Sequence, residues 1–182
     1  MREASILYEF VMLRTLVSII LPIIFIGGII WLIKSSNRKI NEALIKASEK
    51  LNFLYSPSDR LFKKKITSGT IDGYKCEIIV YTQSHGESSS TYISFFTYFP
   101  DSLNMGIKIN WRGQFEGDDD HVANLFIERN LDLVESHKKK LRRLKITDTY
   151  VNSRKILFKK YYNPEEIVKT MHDVVNLAKK IK

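Results

Sequence analysis

The hydropathy pattern begins with a run that has no period. Residues 15–33 carry no charge, and most of the nineteen are Ile, Leu, Val or Phe. At about 1.5 Å per residue, a helix of that length covers roughly 28 Å, close to the hydrocarbon thickness of a bilayer. A buried helix of a soluble domain keeps a polar face, and this run has none, so it predicts a membrane-spanning helix. Pro22 is tolerated there because neighbouring turns adjust, and Trp31 near one end suits the headgroup region. The run exceeds a signal-peptide core of about 7–15 residues and is followed by "KSSNR", a stop signal, so it reads as retained.

Behind the run a period appears. Ile40, Ala43, Leu44, Ala47 and Leu51 recur at helical spacing, predicting a helix over 37–51 that continues from the span. "LNFLYSPSD" should end it, with Pro57 as the breaker. Four strand-like segments follow, at 63–69, 74–83, 91–99 and 105–111. Asp72-Gly73 is a hairpin turn between the first two, and "SHGESSS" (84–90) reads as a flexible loop between the next two. In the fourth, Met105, Ile107, Ile109 and Trp111 alternate with polar or small residues, which means one packed face and one wet face.

The period then returns to that of a helix. In "EGDDDHVANLFIERNLDLVESHKKK", Val122, Leu125, Phe126, Arg129 and Leu133 fall on one side of a helix of about four to five turns. "LKITDTYV" and "RKILFKKYY" read as two more strands, turning at Asn152-Ser153. A last helix opens with Asn163 as cap, Pro164 at its first position and Glu166 three residues after the cap. Its apolar stripe is Ile167, Val168, Met171, Val174, Val175 and Ala178.

The order α-ββββ-α-ββ-α after the span predicts an α+β domain: one mainly antiparallel sheet with helices on one face. The absence of βαβαβ alternation argues against a dinucleotide fold. The layout divides into an N-terminal flank (1–14), a transmembrane helix (15–33), a juxtamembrane helix and linker (34–57), and the α+β domain (58–182).

Charge adds an orientation. The chain has 182 residues and a net charge of +9. Residues 1–33 hold two basic and two acidic residues, so the whole excess belongs to the part after the span. Arg2 and Arg14 precede the span, whereas Lys34, Arg38, Lys39 and Lys46 follow it closely. The excess of Lys and Arg puts the C-terminal side in the cytoplasm, with the protein in the plasma (inner) membrane as a single-pass chain. The one cysteine, Cys76, agrees with that side, since a lone thiol forms no internal disulfide.

Candidate chemistry is sparse. Asp118, Asp119 and His121 in "FEGDDDH" have a spacing suited to a divalent metal, as in a metal-dependent hydrolase. Acidic residues also cap helices, and no second pair completes a ligand set, so capping by Asp118 or Asp119 is the reading and no cofactor is expected. Cys76 sits in an apolar strand without a CxxC or an assignable base and reads as a small buried hydrophobe. His85 beside Ser84 and Ser88 lacks a nucleophile elbow. The densest basic run, Lys138, Lys139, Lys140, Arg142, Arg143 and Lys145, is the candidate polyanion contact, either lipid headgroups or nucleic acid. Its other reading is a set of cations at a helix C-terminus. The aromatics of "TYISFFTYF" read as core, and no RNP-like motif accompanies them.

The layout resembles a loose group of uncharacterised bacterial membrane-anchored proteins. The resemblance rests on Ala47, Leu51, Phe53 and Tyr55 after the anchor, and on Phe115, Gly117, Asp118 and Asp119 opening the central helix. A closing hairpin and a C-terminal helix complete it. It implies a single-pass anchor with a small α+β domain, and no reaction, ligand or catalytic residue. The expectation is therefore a binding or scaffold module rather than an enzyme, contacting a protein partner or the anionic membrane surface. The hydrolase on Asp118, Asp119 and His121, and nucleic-acid binding through the basic run, stand as alternatives.

Overall fold

The computed structural model describes residues 2–55, 64–86, 88–104, 106–109, 115–117, 120–130 and 144–181. The chain forms two compact units, Met1–Lys39 and Ile40–Lys182. Helix α1, Arg2–Leu51, supplies all of the first and the opening turns of the second. In the first unit it includes Pro22 without interruption. Among the described residues it is the one helix long and apolar enough to cross a membrane, and its apolar window is 0% buried. Ile24, Phe25 and Trp31 are 68%, 66% and 67% exposed.

In the second unit the expected stripe holds: Ile40, Ala43, Leu44, Ala47 and Leu51 are all buried. The helix stops earlier than Pro57, which lies outside the described residues. Asn52 takes the left-handed conformation (φ 58°), its N–H donates to Glu49 O, and the Phe53 N–H donates to Ser48 O at 2.8 Å. Those two bonds close the last carbonyls of the helix, so the stop is an Asn cap rather than a proline.

The strands are β1 (Leu54–Tyr55), β2 (Lys65–Ile71), β3 (Tyr74–His85), β4 (Ser88–Tyr98), β5 (Ile107–Ile109), β6 (Phe115–Gly117), β7 (Leu144–Ile146) and β8 (Tyr150–Ile156). They form one antiparallel sheet in the order β1-β2-β3-β4-β8-β7-β5-β6. Helix α2 (Asp120–Arg129) follows β6, and a 3-10 turn (Lys159–Tyr162) leads into α3 (Pro164–Lys180). The fold is thus the expected α+β type. Two strands of two and three residues, β1 and β6, had too little sequence to show a period.

Asp72 and Gly73 both take positive φ (51° and 85°) and join Ile71 to Tyr74, the two-residue turn that matches sheet twist. The next hairpin differs from expectation. Most of "SHGESSS" is strand, with β3 and β4 paired out to His85 opposite Ser88. The backbone ladder continues through it, with Gln83 opposite Ser90 and Ser84 opposite Ser89, and just before it the Thr82 and Thr91 hydroxyls lie 3.1 Å apart across the strands.

The expected turn at Asn152-Ser153 is likewise the interior of β8, with both residues buried. Asn152 Nδ2 donates to Phe95 O at 3.1 Å, which removes the cost of burying the amide. The chain turns instead at residues 147–149, where Thr147 Oγ1 accepts from the N–H groups of Thr149 (3.3 Å) and Tyr150 (3.2 Å). Residues 159–162, expected as strand, are the 3-10 turn.

One face of the sheet carries the core. Thr67, Cys76, Ile78, Val80, Ile93, Phe95 and Val151 alternate onto it and are buried. The tail of α1 and the stripe of α3 pack there, and Phe126 of α2 joins the same cluster. Ser48 and Thr67 hydroxyls meet at 2.8 Å, and Lys50 pairs with Glu165, tying α1 to β2 and to α3. In α3, Ile167, Met171, Val174, Val175 and Ala178 are buried as expected, with Leu177 added and Val168 half-buried. In α2, Leu125 and Arg129 are exposed rather than inward, so Phe126 alone of the described part of that stripe is buried. Residues 131–143, including Leu133, lie outside the described residues.

Candidate interaction surface on the sheet

Alternation along β4 divides its aromatic run between two environments. Ile93, Phe95 and Thr97 face the core, while Tyr92, Ser94, Phe96 and Tyr98 face the other way. The register places Tyr81 opposite Tyr92, Ile79 and Arg154 opposite Ser94, Glu77 and Asn152 opposite Phe96, and Lys75 and Tyr150 opposite Tyr98. Lys145 of β7 extends the row through Asn152. The reading of "TYISFFTYF" as core is therefore correct for Phe95 and wrong for Tyr92, Phe96 and Tyr98, which are half-exposed.

Two ring clusters result. Tyr81 and Tyr92 stack with centroids 5.8 Å apart. Phe96, Tyr98 and Tyr150 form a triangle with sides of 6.1, 5.5 and 5.9 Å. A cation stands over each cluster. The Arg154 guanidinium lies 3.8 Å from the Tyr92 centroid and 5.9 Å from that of Tyr81. Lys75 lies 5.3 Å from the Tyr98 centroid and Lys145 5.6 Å from that of Tyr150. Such contacts hold long side chains over the negative ring faces. Arg154 is fixed further, since its Nη2 donates to Gln83 Oε1 at 2.8 Å.

Between the clusters, Ile79, Ser94 and Asn152 sink to 7%, 1% and 2% exposure, making a close-packed floor. Glu77 brings a carboxylate into this array: it accepts from the Tyr98 hydroxyl at 3.0 Å and meets Lys75 at 3.4 Å. Burial, then the bond to Glu77, pushes the Tyr98 phenol up to about 12. The face is thus aromatic, cationic and preorganised. It offers rings, N–H donors and positive charge.

The residues singled out from sequence fall elsewhere. Asp118 and Asp119 lie outside the described residues. His121 is exposed in the first turn of α2. Among the described residues, no group of three His, Cys, Asp or Glu side chains is placed to hold a metal. Lys138, Lys139, Lys140, Arg142 and Arg143 also lie outside, and Lys145 alone of that run is brought to the aromatic face. Cys76 is buried on the core face, where burial raises its thiol pKa, an inert position for a thiol. The surface that sequence reasoning missed was signalled by period two in β4, Tyr-Ser-Phe-Tyr against Ile-Phe-Thr. Nothing local signalled Arg154.

No family model, curated protein or solved structure matches this chain.

Proposed function

We propose that this protein is a single-pass membrane-anchored binding module. Residues 15–33 span the bilayer, and the folded unit stands in the cytoplasm. The outer face of the sheet receives a protein partner with an acidic rim and an apolar centre. The observation that carries the reading is the contrast within α1: its apolar window is 0% buried, while its last three turns are locked into a core. A helix that exposes that much apolar surface requires lipid or another chain around it. The Lys and Arg bias after the span supports the cytoplasmic side.

Composition supports the choice of partner. Tyr, Phe and Arg are the residues most enriched at the centres of protein interfaces, and five rings with Arg154 gather on this face. Lys75, Lys145 and Arg154 against Glu77 leave it positive, complementary to an acidic surface.

The test has two parts. The full chain should remain in membranes after an alkaline wash, while a chain lacking residues 1–33 should be released; release of the full chain would end the anchor reading. Crosslinking in those membranes should recover the same partner with wild type and lose it with folded Tyr92→Ala and Arg154→Ala variants. Loss instead of binding to anionic vesicles or to single-stranded RNA in those variants would replace the protein partner with that polyanion.

A further inference from the structure

We infer that the partner docks on the outer face of the sheet as an amphipathic α-helix lying across the strands, apolar over β1 and β2 and acidic where it reaches Lys145 of β7. This rests on the reading of that face as a protein-binding surface, and it adds the shape and polarity of what binds.

Two large apolar side chains carry the face beyond its rings. The register puts Leu54 of β1 opposite Ser68 and Ser68 opposite Glu77, in the row that continues through Phe96 and Asn152 to Lys145. Ile66 of β2 stands opposite Ile79, in the row of Ser94 and Arg154. Phe53 and Tyr55, on either side of Leu54, turn to the core side: Phe53 covers Gly69, and the Tyr55 hydroxyl donates to Asn41 of α1. Leu54 therefore points outward, 83% exposed, and Ile66 is 43% exposed. One exposed leucine on a surface means little. Its alignment with Ile66 and the rings in adjacent rows makes a continuous strip, and a strip of that kind marks an interface.

The strip has a polarity. Its β1–β2 end presents Leu54, Ile66, Ser68 and Thr70. In the middle, Lys75 and Glu77 of β3 meet each other at 3.4 Å. The far end presents Lys145, whose ammonium lies 5.6 Å from the Tyr150 ring centre. A cation over a ring keeps its charge, so an acidic side chain is matched at that end of the strip.

The strip crosses the strands rather than following one. From β1 to β7 there are five strand spacings, at about 4.8 Å each, or roughly 24 Å. The inner strands β3, β4 and β8 are paired on both sides, so their backbone groups serve the sheet and a partner is held there through side chains. A helix meets that condition because its own backbone bonds are internal. About 16 residues of helix, at roughly 1.5 Å each, cover the distance, and apolar residues at i, i+3, i+4 and i+7 meet successive strands. The opposite face is already covered in this way by α3, and a helix on the outer face completes a third layer.

The test presents the full chain, in lipid nanodiscs, with a displayed library of random segments of about 16 residues. It should enrich segments with apolar residues at helical spacing and Asp or Glu at one end. One enriched segment, made as a free peptide and read by fluorescence anisotropy, should bind at least about tenfold more weakly to Leu54→Asp with Ile66→Asp. Lys145→Glu should also weaken it, and a peptide with Lys in place of its acidic residues should recover binding to that variant. Lys46→Ala, an exposed charge on α1, should leave binding unchanged. Thermal unfolding of each variant separates lost binding from lost fold. No enrichment, enrichment of basic segments or of segments without helical spacing, or binding indifferent to Leu54 and Ile66 would overturn the inference. The two readings fail differently. A peptide lost with Tyr92→Ala but kept by the Leu54 and Ile66 variant leaves the face as a protein site and removes the crossing helix, whereas a peptide kept by both removes the site from this face.

Discussion

Arg154 of β8 brings its guanidinium carbon 3.8 Å from the ring centre of Tyr92 of β4, and its Nη2 donates to Gln83 of β3 at 2.8 Å. One side chain thus spans three strands on the outer face. A lysine retains the charge and loses both the planar stack and the directed N–H. Arg154→Lys should therefore lower affinity for a bound partner at least about tenfold, the scale of an interfacial hot spot. The stability change should stay near 1 kcal/mol, a shift of about 2–4 °C in Tm. Calorimetric binding and thermal unfolding on the same preparation separate the two effects.

Gly69 in β2 is covered by the ring of Phe53, which follows the Asn52 cap. A Cβ at position 69 would collide with that ring. Phe53 is 7% exposed and part of the core, so it has little room to withdraw. Gly69→Ala should cost about 1–3 kcal/mol through overpacking. The Gly69→Ala, Phe53→Leu double variant should recover part of the loss. Urea unfolding of the four chains gives the coupling directly.

The features legible in the sequence are those fixed by neighbours along the chain. The stripes of α1 and α3, the Asp72-Gly73 turn and the Asn163-Pro164 start all depend on spacing within one or two turns. The misread places depend on pairing that composition does not show. Asn152 and Ser153 look like a turn until the Asn152 amide finds the carbonyl of Phe95, fifty-seven residues earlier. "SHGESSS" looks like a loop by composition, yet its backbone carries the β3-β4 ladder out to His85 opposite Ser88. The outer face was half legible. Period two in β4 separates its rings into two sets, but Arg154, Lys75 and Lys145 reach it only through the β3-β4-β8-β7 order, which no local pattern encodes.

Asn163 carries the start of α3. Its Oδ1 accepts from the Glu165 N–H at 3.1 Å, and Pro164 sets the first helical position. The reciprocal half of the expected capping box is absent: the Asn163 N–H donates to Lys160 O, and Glu166 turns to the Lys160 ammonium. Asn163→Ala should then cost about 1 kcal/mol, with a Tm drop of about 2–4 °C. Asn163→Asp or Asn163→Ser should restore it. Glu166→Gln should leave cap stability intact, since that carboxylate serves Lys160 and not the cap.

Tyr98 gives the folded unit an alkaline limit. Its phenol is raised from 10.0 to about 12 by burial and by the bond to Glu77, so the fold favours the neutral, protonated form. The unfolded chain releases that proton first. The stabilisation is complete below pH 10 and declines as pH rises through about 12. Tyrosinate absorbance should show a step near pH 12, and Tyr98→Phe should remove that step. The Tm of wild type should fall between pH 10 and 12 more steeply than that of Tyr98→Phe, which has no phenolic proton to lose at this site. Below pH 9 the two curves should run parallel, offset by the lost hydrogen bond to Glu77. Parallel curves across the whole alkaline range would mean that the phenol titrates alike in folded and unfolded chains, against the geometry of the Tyr98–Glu77 pair.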